Sequence, residues 1–168
     1  AKALAIVVAA VSLIPALFGF VDEMTEVAPE PEYNYEAFVT GEVPQITPME
    51  LYNDGEIVIT ADSAGAYYDE YTIELGIQNN SKQDVSISTQ MLSVNGYMMN
   101  SGFSTHISSG ESRQDLMQLS SYDLEAAGIT QVAQIAFYLD LYDSETYDSI
   151  ATTELITLET DIAEGFVQ

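Results

Sequence analysis

The sequence contains no cysteine and no tryptophan, and it has a single histidine, His106. Without thiols, the printed chain cannot form a disulfide, a Cys-ligated zinc site, an iron–sulfur cluster or a cysteine nucleophile. A single imidazole also excludes any site that needs two histidine ligands. Most metal and redox chemistry is therefore excluded for these 168 residues, and we expect no cofactor.

Basic side chains are nearly as scarce. Three Lys and Arg residues stand against 27 Asp and Glu residues, which gives a formal net charge of -24 at pH 7. Nucleic-acid binding needs clustered Lys and Arg against the phosphates, so we predict no nucleic-acid partner. The charge keeps copies of the chain apart in solution and attracts a cationic partner at long range.

A long uncharged apolar run covers Ala3 to Val21. A helix of this length would span about 28 Å, close to the ~30 Å hydrocarbon thickness of a bilayer. Lys2 precedes the run, and Asp22 and Glu23 follow it. Because positive residues stay on the cytoplasmic side, the remainder of the chain is predicted to be exported. We therefore predict that residues 1–21 form a transmembrane anchor or signal-anchor helix in the lipid bilayer.

Two other interpretations of this run remain open. A cleaved secretory signal would have an apolar region of about 7–15 residues that ends in small side chains, whereas this run is longer and ends near the bulky Phe18 and Phe20. A buried helix of a globular domain would show a polar stripe, and this run has none.

Residues 22–47 form the second predicted part, an acidic stalk. Pro29 and Pro31 alternate with glutamates, a composition that favours an extended, self-repelling chain. Such a segment holds a folded domain away from a surface. The folded domain is predicted at residues 48–160, and residues 161–168 are predicted to form a C-terminal tail.

Alternating apolar and polar residues predict a series of short antiparallel strands in this domain. The pattern covers residues 56–60, 71–78, 84–94, 132–141 and 150–158. A bulge is predicted near Met91. The side chains predicted to face the core are Tyr71, Ile73, Leu75, Ile77, Val85, Ile87, Ile135, Phe137, Leu139 and Leu141, with either Leu155 or Ile156 in the last segment.

Turn signals rich in Asn, Asp, Ser and Gly separate these segments, as at Asn95-Gly96. A short helix is predicted in residues 120–128, with Ser121 as its N-cap and Gly128 as the residue that ends it. Roughly seven strands of this length favour two packed antiparallel sheets. The predicted fold is therefore an all-β antiparallel β-sandwich, preceded by one N-terminal apolar transmembrane helix.

The same region resembles a known family. The most specific pieces are IQNNS, SVNGYM, the S-x-x-I-S-S-G run and LEAAGI, within roughly residues 51–160. They are similar to an extracellular domain of membrane-anchored Gram-positive (Firmicutes-type) proteins of unknown function. The resemblance implies an immunoglobulin-like sandwich outside the cell, and it implies no catalytic residue. Family members often begin with a zinc ribbon, for which the printed 168 residues contain no cysteine.

Three tyrosines cluster beside acidic residues and form the first candidate site. Tyr67, Tyr68 and Tyr71 lie close together in a chain with eleven tyrosines. Exposed tyrosines stack on ligands and anchor interfaces, although tyrosine is also a common strand residue. We predict these three as ligand-binding residues for an unknown protein or glycan at the cell surface.

Four carboxylates form the second candidate site. Asp140, Asp143, Glu145 and Asp148 lie within nine residues, and Ca²⁺ prefers several oxygen ligands of this kind. The EF-hand spacing is absent, so an acidic hairpin tip without metal is the competing interpretation. If the chain binds a cation, we predict that these four carboxylates bind it.

The predicted function is a non-catalytic binding or structural module. It is predicted to be anchored in the cell membrane by a single span, with its C-terminal domain outside the cell. A filament subunit of the pilin type, with the N-terminal helix in the fibre core, is one alternative. A secreted hydrolase that uses His106 in a Ser–His–Asp triad is the other, although no Gly-x-Ser-x-Gly motif is present.

Overall fold

Within residues 43–68, 70–100 and 102–165, which the computed structural model describes, the chain forms ten β-strands and one short α-helix. The predicted membrane helix and all but the end of the predicted stalk lie outside these residues. In the part that is described, no helix is long and apolar enough to cross a bilayer.

The strands follow one another closely along the chain. They are β1 (Met49–Asn53), β2 (Ile57–Tyr67), β3 (Glu70–Asn79), β4 (Val85–Val94), β5 (Tyr97–Met98), β6 (Ser104–Ile107), β7 (Ser112–Leu119), β8 (Gln134–Asp143), β9 (Ser149–Thr152) and β10 (Ile156–Glu159). Helix α1 (Ser121–Ala126) lies between β7 and β8, and a 3-10 turn (Ala163–Gly165) follows β10.

The strands form two antiparallel sheets. The first sheet has the order β1-β2-β3-β7. The second has the order β10-β8-β4-β5, with β6 also paired to β4 and β9 to β8. Buried residues from both sheets belong to one continuous core. The prediction of an all-β antiparallel sandwich is therefore confirmed.

The core is built by the alternation of each strand. Ile73, Leu75 and Ile77 of β3 are buried, and the residues between them face outward. Strand β8 repeats the pattern with Ile135, Phe137, Leu139 and Leu141. Burying a side chain of this size stabilises the fold by about 1.5–3 kcal/mol, so these inward rows fix the register of the sheets.

Both ends of the described chain meet at one end of the sandwich, which we call the terminal pole. Ile46 forms a bridge with Thr160, and the backbone N–H of Asp161 donates to Gln45 O at 2.9 Å. The chain then enters β1 after Pro48 and pairs with β2 of the other sheet. Proline suits this change of sheet because it cannot donate a ladder hydrogen bond.

The opposite end, which we call the loop pole, carries the turns at residues 54–56, 80–84, 108–111 and 144–148. Asn80 N–H donates to Glu56 O at 2.8 Å, and Ser144 N–H donates to Asp84 O at 3.1 Å. The first bond joins the turn after β3 to the turn between β1 and β2, and the second joins the residue before β4 to the residue after β8.

Two local predictions need correction or refinement, and a third is confirmed. The N-cap of α1 is Ser120, whose Oγ accepts a hydrogen bond from Asp123 N–H, so the assignment to Ser121 is wrong by one residue. Gly128 has φ +70°, as expected for a helix-ending glycine. The predicted last strand is divided into β9 and β10, and its inward residue is Ile156, since Leu155 is 54% exposed.

Candidate functional site

The β2–β3 hairpin ends in two exposed aromatic rings. Tyr67 is 49% exposed and Tyr68 is 81% exposed. Their ring centroids are 4.6 Å apart and their planes are at 80°, which is an edge-to-face contact. Tyr68 has φ +52°, a conformation that costs a bulky residue energy and that is retained where the surrounding turn imposes it. The structure therefore brings two of the three predicted tyrosines together on the surface.

The third predicted tyrosine is not part of this surface. Tyr71 is 3% exposed, and its hydroxyl donates a hydrogen bond to Pro44 O at 2.6 Å. Burial raises the pKa of Tyr71, and the negative charge of Asp161 raises it further. Tyr71 belongs to the core at the terminal pole, where it holds the incoming chain. The alternation of β3 placed it on the same face as Ile73, and that signal outweighs its nearness to Tyr68 in sequence.

The raised pKa of Tyr71 predicts a loss of stability at alkaline pH. Above about pH 10 the phenol ionises in the unfolded chain but stays protonated in the fold, so the free energy of unfolding falls as the pH rises. Tyr71→Phe should remove this contribution and should cost about 0.5–1.5 kcal/mol at neutral pH through the lost hydrogen bond to Pro44. Denaturant unfolding of both chains at neutral and alkaline pH measures this. An equal alkaline loss in the variant would contradict the assignment.

The four predicted calcium ligands lie at the loop pole on β8 and the hairpin after it. Asp140 Oδ1 accepts a hydrogen bond from Thr152 Oγ1 at 2.7 Å. Asp143 Oδ1 accepts the backbone N–H groups of Glu145 and Thr146, both at 2.8 Å. These two N–H donors, that of Thr146 foremost, lower the pKa of Asp143.

The carboxylates of Asp140 and Asp143 bond within the hairpin. Within residues 43–68, 70–100 and 102–165, no group of three or more His, Asp or Glu side chains is arranged to hold a metal ion. Asp143 is already occupied with the backbone of its own turn. The geometry therefore favours the competing interpretation, an acidic hairpin tip, and the prediction of calcium gains no support.

The same hairpin carries an aromatic pair that the sequence analysis did not identify. Tyr147 is 77% exposed and stacks on Tyr142, with ring centroids 6.3 Å apart and planes at 23°. Tyr147 also has φ +62°. The alternation pattern ends at Leu141, so no periodic signal marked Tyr147. Its position follows from the turn that Asp143 organises.

His106 lies beside Ser144 at the loop pole. Its Nδ1 is 2.9 Å from Ser144 Oγ, and its Nε2 is 3.8 Å from Asp84 Oδ2. The latter distance is too long for a hydrogen bond. The His106 and Asp84 side chains are 53% and 42% exposed, so water screens their interaction. Ser144 Oγ also contacts Ser86 Oγ at 2.8 Å. This arrangement falls short of a triad, in which the carboxylate holds the imidazole and the site excludes water.

No protein-family model matches the chain, and no curated protein matches it.

Proposed function

We propose that this chain is a non-catalytic binding or structural module with an immunoglobulin-like sandwich, displayed outside the cell by a single N-terminal membrane helix. The observation that carries the proposal is the pair Tyr67 and Tyr68, exposed at the tip of a long hairpin. Tyrosine buries a large area at low entropic cost when it enters an interface, and it is enriched among the residues that dominate binding energy.

The rigid base of the tip supports this role. Strands β2 and β3 pair continuously from Ile57–Asn79 up to Tyr67–Glu70, apart from one bulge. A tip on such a base loses little conformational freedom on binding, which increases affinity. The strained backbone at Tyr68 is a second sign, because such strain concentrates at functional positions.

The extracellular location rests on the sequence. The apolar run Ala3 to Val21 suits a single bilayer span, and the balance of Lys2 against Asp22 and Glu23 suits export of the rest. The excess of acidic side chains is compatible with a protein or glycan partner at the cell surface. It disfavours nucleic acid.

A cell-binding experiment tests the proposal. The full chain is expressed in a Gram-positive host, and protease is added to the intact cells. We expect the protease to digest the residues that lie outside the membrane. The purified full chain is then incubated with intact cells and with isolated cell-wall sacculi. We expect that replacing both Tyr67 and Tyr68 by Ser weakens binding about tenfold or more.

Tyr122→Ser is the matched control, since Tyr122 is 59% exposed on helix α1 and should leave binding unchanged. Full protection from protease would contradict the extracellular location. Equal binding by the double variant and the wild-type chain would contradict the role of the tip. Fibres in electron micrographs of the purified chain would instead favour the filament alternative.

A further inference from the structure

The outer face of the first sheet has a notch at its centre. In the register of the sheet, Thr60 of β2, Gly76 of β3 and Gln114 of β7 lie side by side. All three positions face away from the core. Because Gly76 has no side chain, the space above it is open to neighbouring side chains, and Thr60 and Asp62 reach into it. Glycine inside a strand commonly marks a bulge or a place where another molecule approaches the backbone.

A β-bulge places a carboxylate over this notch. The pairing of β2 with β3 shifts between Ala61 and Ser63, so Asp62 is the extra residue. Its carboxylate accepts a hydrogen bond from Gln114 Nε2 at 3.3 Å. A Cβ atom on Gly76 would lie 2.8 Å from Asp62 Oδ2 and 2.6 Å from Thr60 Oγ1. The side chains of Thr60 and Asp62 therefore occupy the space that a Cβ atom at position 76 would take. Bulges are over-represented next to binding sites because they re-aim a side chain.

The notch is the centre of a groove of about 340 Å³ across β2, β3 and β7. This volume lies at the lower end of the ~300–1,000 Å³ typical of ligand pockets. Its polar lining combines one carboxylate, one guanidinium, two primary amides and two hydroxyls, and Val58 adds an apolar surface; the polar groups are Asp62, Arg113, Gln78, Gln114, Thr60 and Ser112.

The charges around the groove indicate the class of ligand. Asp62 and Arg113 both line it and carry opposite charges, and Arg113 is held by Glu111 and Asp115 at 3.4 Å and 3.3 Å. The lining therefore offers several neutral donors and acceptors with little unbalanced charge. Adjacent hydroxyl groups match this set, since one hydroxyl can donate to Asp62 while its neighbour accepts from the Gln114 or Gln78 amide.

We propose that this groove binds a neutral saccharide, a short segment of a polysaccharide, through Asp62, Gln114, Gln78 and Thr60. The inference rests on the proposed binding function and names the ligand class and a second contact surface for it. The apolar Val58 side chain packs against the C–H face of the sugar ring, as aliphatic surface does in carbohydrate sites that combine apolar and polar contacts.

The test is a titration of the ¹⁵N-labelled full chain, in a detergent that carries no sugar. The probes are cellohexaose, xylohexaose, mannohexaose, chitohexaose and hexalysine, each added to millimolar concentration. We expect at least one neutral sugar to shift the Gly76 backbone amide and the side-chain amides of Gln78 and Gln114. Asp62→Ala, Gln114→Ala and Gly76→Ala should each weaken that binding about tenfold or more.

Gln118→Ala is the matched control, since Gln118 lies on the same face of β7, two positions beyond Leu116, and outside the groove. It should leave sugar binding unchanged. Absence of shifts in the groove with all four sugars overturns the inference, and so do shifts with hexalysine alone. A third outcome also overturns the inference: Asp62→Ala and Gln114→Ala retain sugar binding, but the Tyr67 and Tyr68 double variant loses it. That outcome would leave the proposed binding function intact.

Discussion

Replacing Phe137 by Ala should lower the free energy of unfolding by about 3–5 kcal/mol. Phe137 is fully buried in β8, the strand that pairs with β4, β9 and β10. The strands on both sides of β8 are hydrogen-bonded to it. The sheet therefore cannot close the space that the missing ring would leave. The lost transfer energy and the cavity then add to each other. Urea unfolding of the full chain measures the effect.

The control for this variant is Leu116→Ala, because Leu116 is 38% exposed on the edge strand β7. We expect its cost to stay below about 1 kcal/mol. Phe137→Leu, which keeps most of the volume, should lie between the two. A cost for Phe137→Ala no greater than that of Leu116→Ala would show that β8 is not the centre of the core.

Replacing Asn79 by Ala should cost about 2–4 kcal/mol, because it removes the four hydrogen bonds of a buried side-chain amide. Asn79 is 0% exposed. Its Nδ2 donates to Gln83 O at 2.9 Å and to Ile107 O at 3.3 Å, and its Oδ1 accepts from Ser81 N–H at 3.0 Å and from Ser81 Oγ at 2.6 Å. One amide thus connects the turn after β3 with the end of β6 at the loop pole.

The neighbouring Asn80 supplies the control, since it is exposed and its backbone N–H alone bonds to Glu56. Asn80→Ala should be nearly neutral in thermal unfolding. Asn79→Asp should be about as harmful as Asn79→Ala, because the carboxylate keeps the acceptor but loses both donors and places a charge in the interior. Tolerance of Asn79→Asp would mean that the donated bonds contribute little.

The core of the sandwich could be predicted because period-two alternation reports burial directly. Ile73, Leu75 and Ile77 form an inward row in the sequence and in the structure. The bulge near Met91 could also be predicted, since the apolar spacing changes there, and Met91 adopts φ +52° next to the register shift in β4. Such features depend on local sequence and on the sheet that covers them.

The candidate sites could be predicted only in part, because they depend on contacts between distant residues. The alternation of β3 predicts that Tyr71 faces the core, but its hydrogen bond to Pro44, 27 positions earlier, has no such signal. The meeting of Asp62 with Gln114 spans 52 positions and requires both a bulge and the pairing of three strands. A single sequence contains no local signal for either contact.

The acidic hairpin shows a different limit. The sequence shows that Asp140 and Asp143 lie close together along the chain. It does not show which hydrogen bonds their carboxylates make in the fold. Asp143 turns inward to its own backbone, and Asp140 binds Thr152 on β9. Among the described residues these carboxylates are not arranged around a common point, and their spacing in the sequence could not show that.

The bonds between residues 45–46 and residues 160–161 also determine how the domain responds to mechanical force. If tension acts between residue 43 and residue 165, both attachment points lie at the same pole, and the bonds Asp161 N–H to Gln45 O and Ile46 to Thr160 open one after another. If the load instead acts between residue 43 and the turn at residues 80–84 of the loop pole, the force runs along the strands and the hydrogen bonds between β1 and β2 are loaded together in shear. Resistance to pulling should therefore depend on which end of the sandwich is gripped.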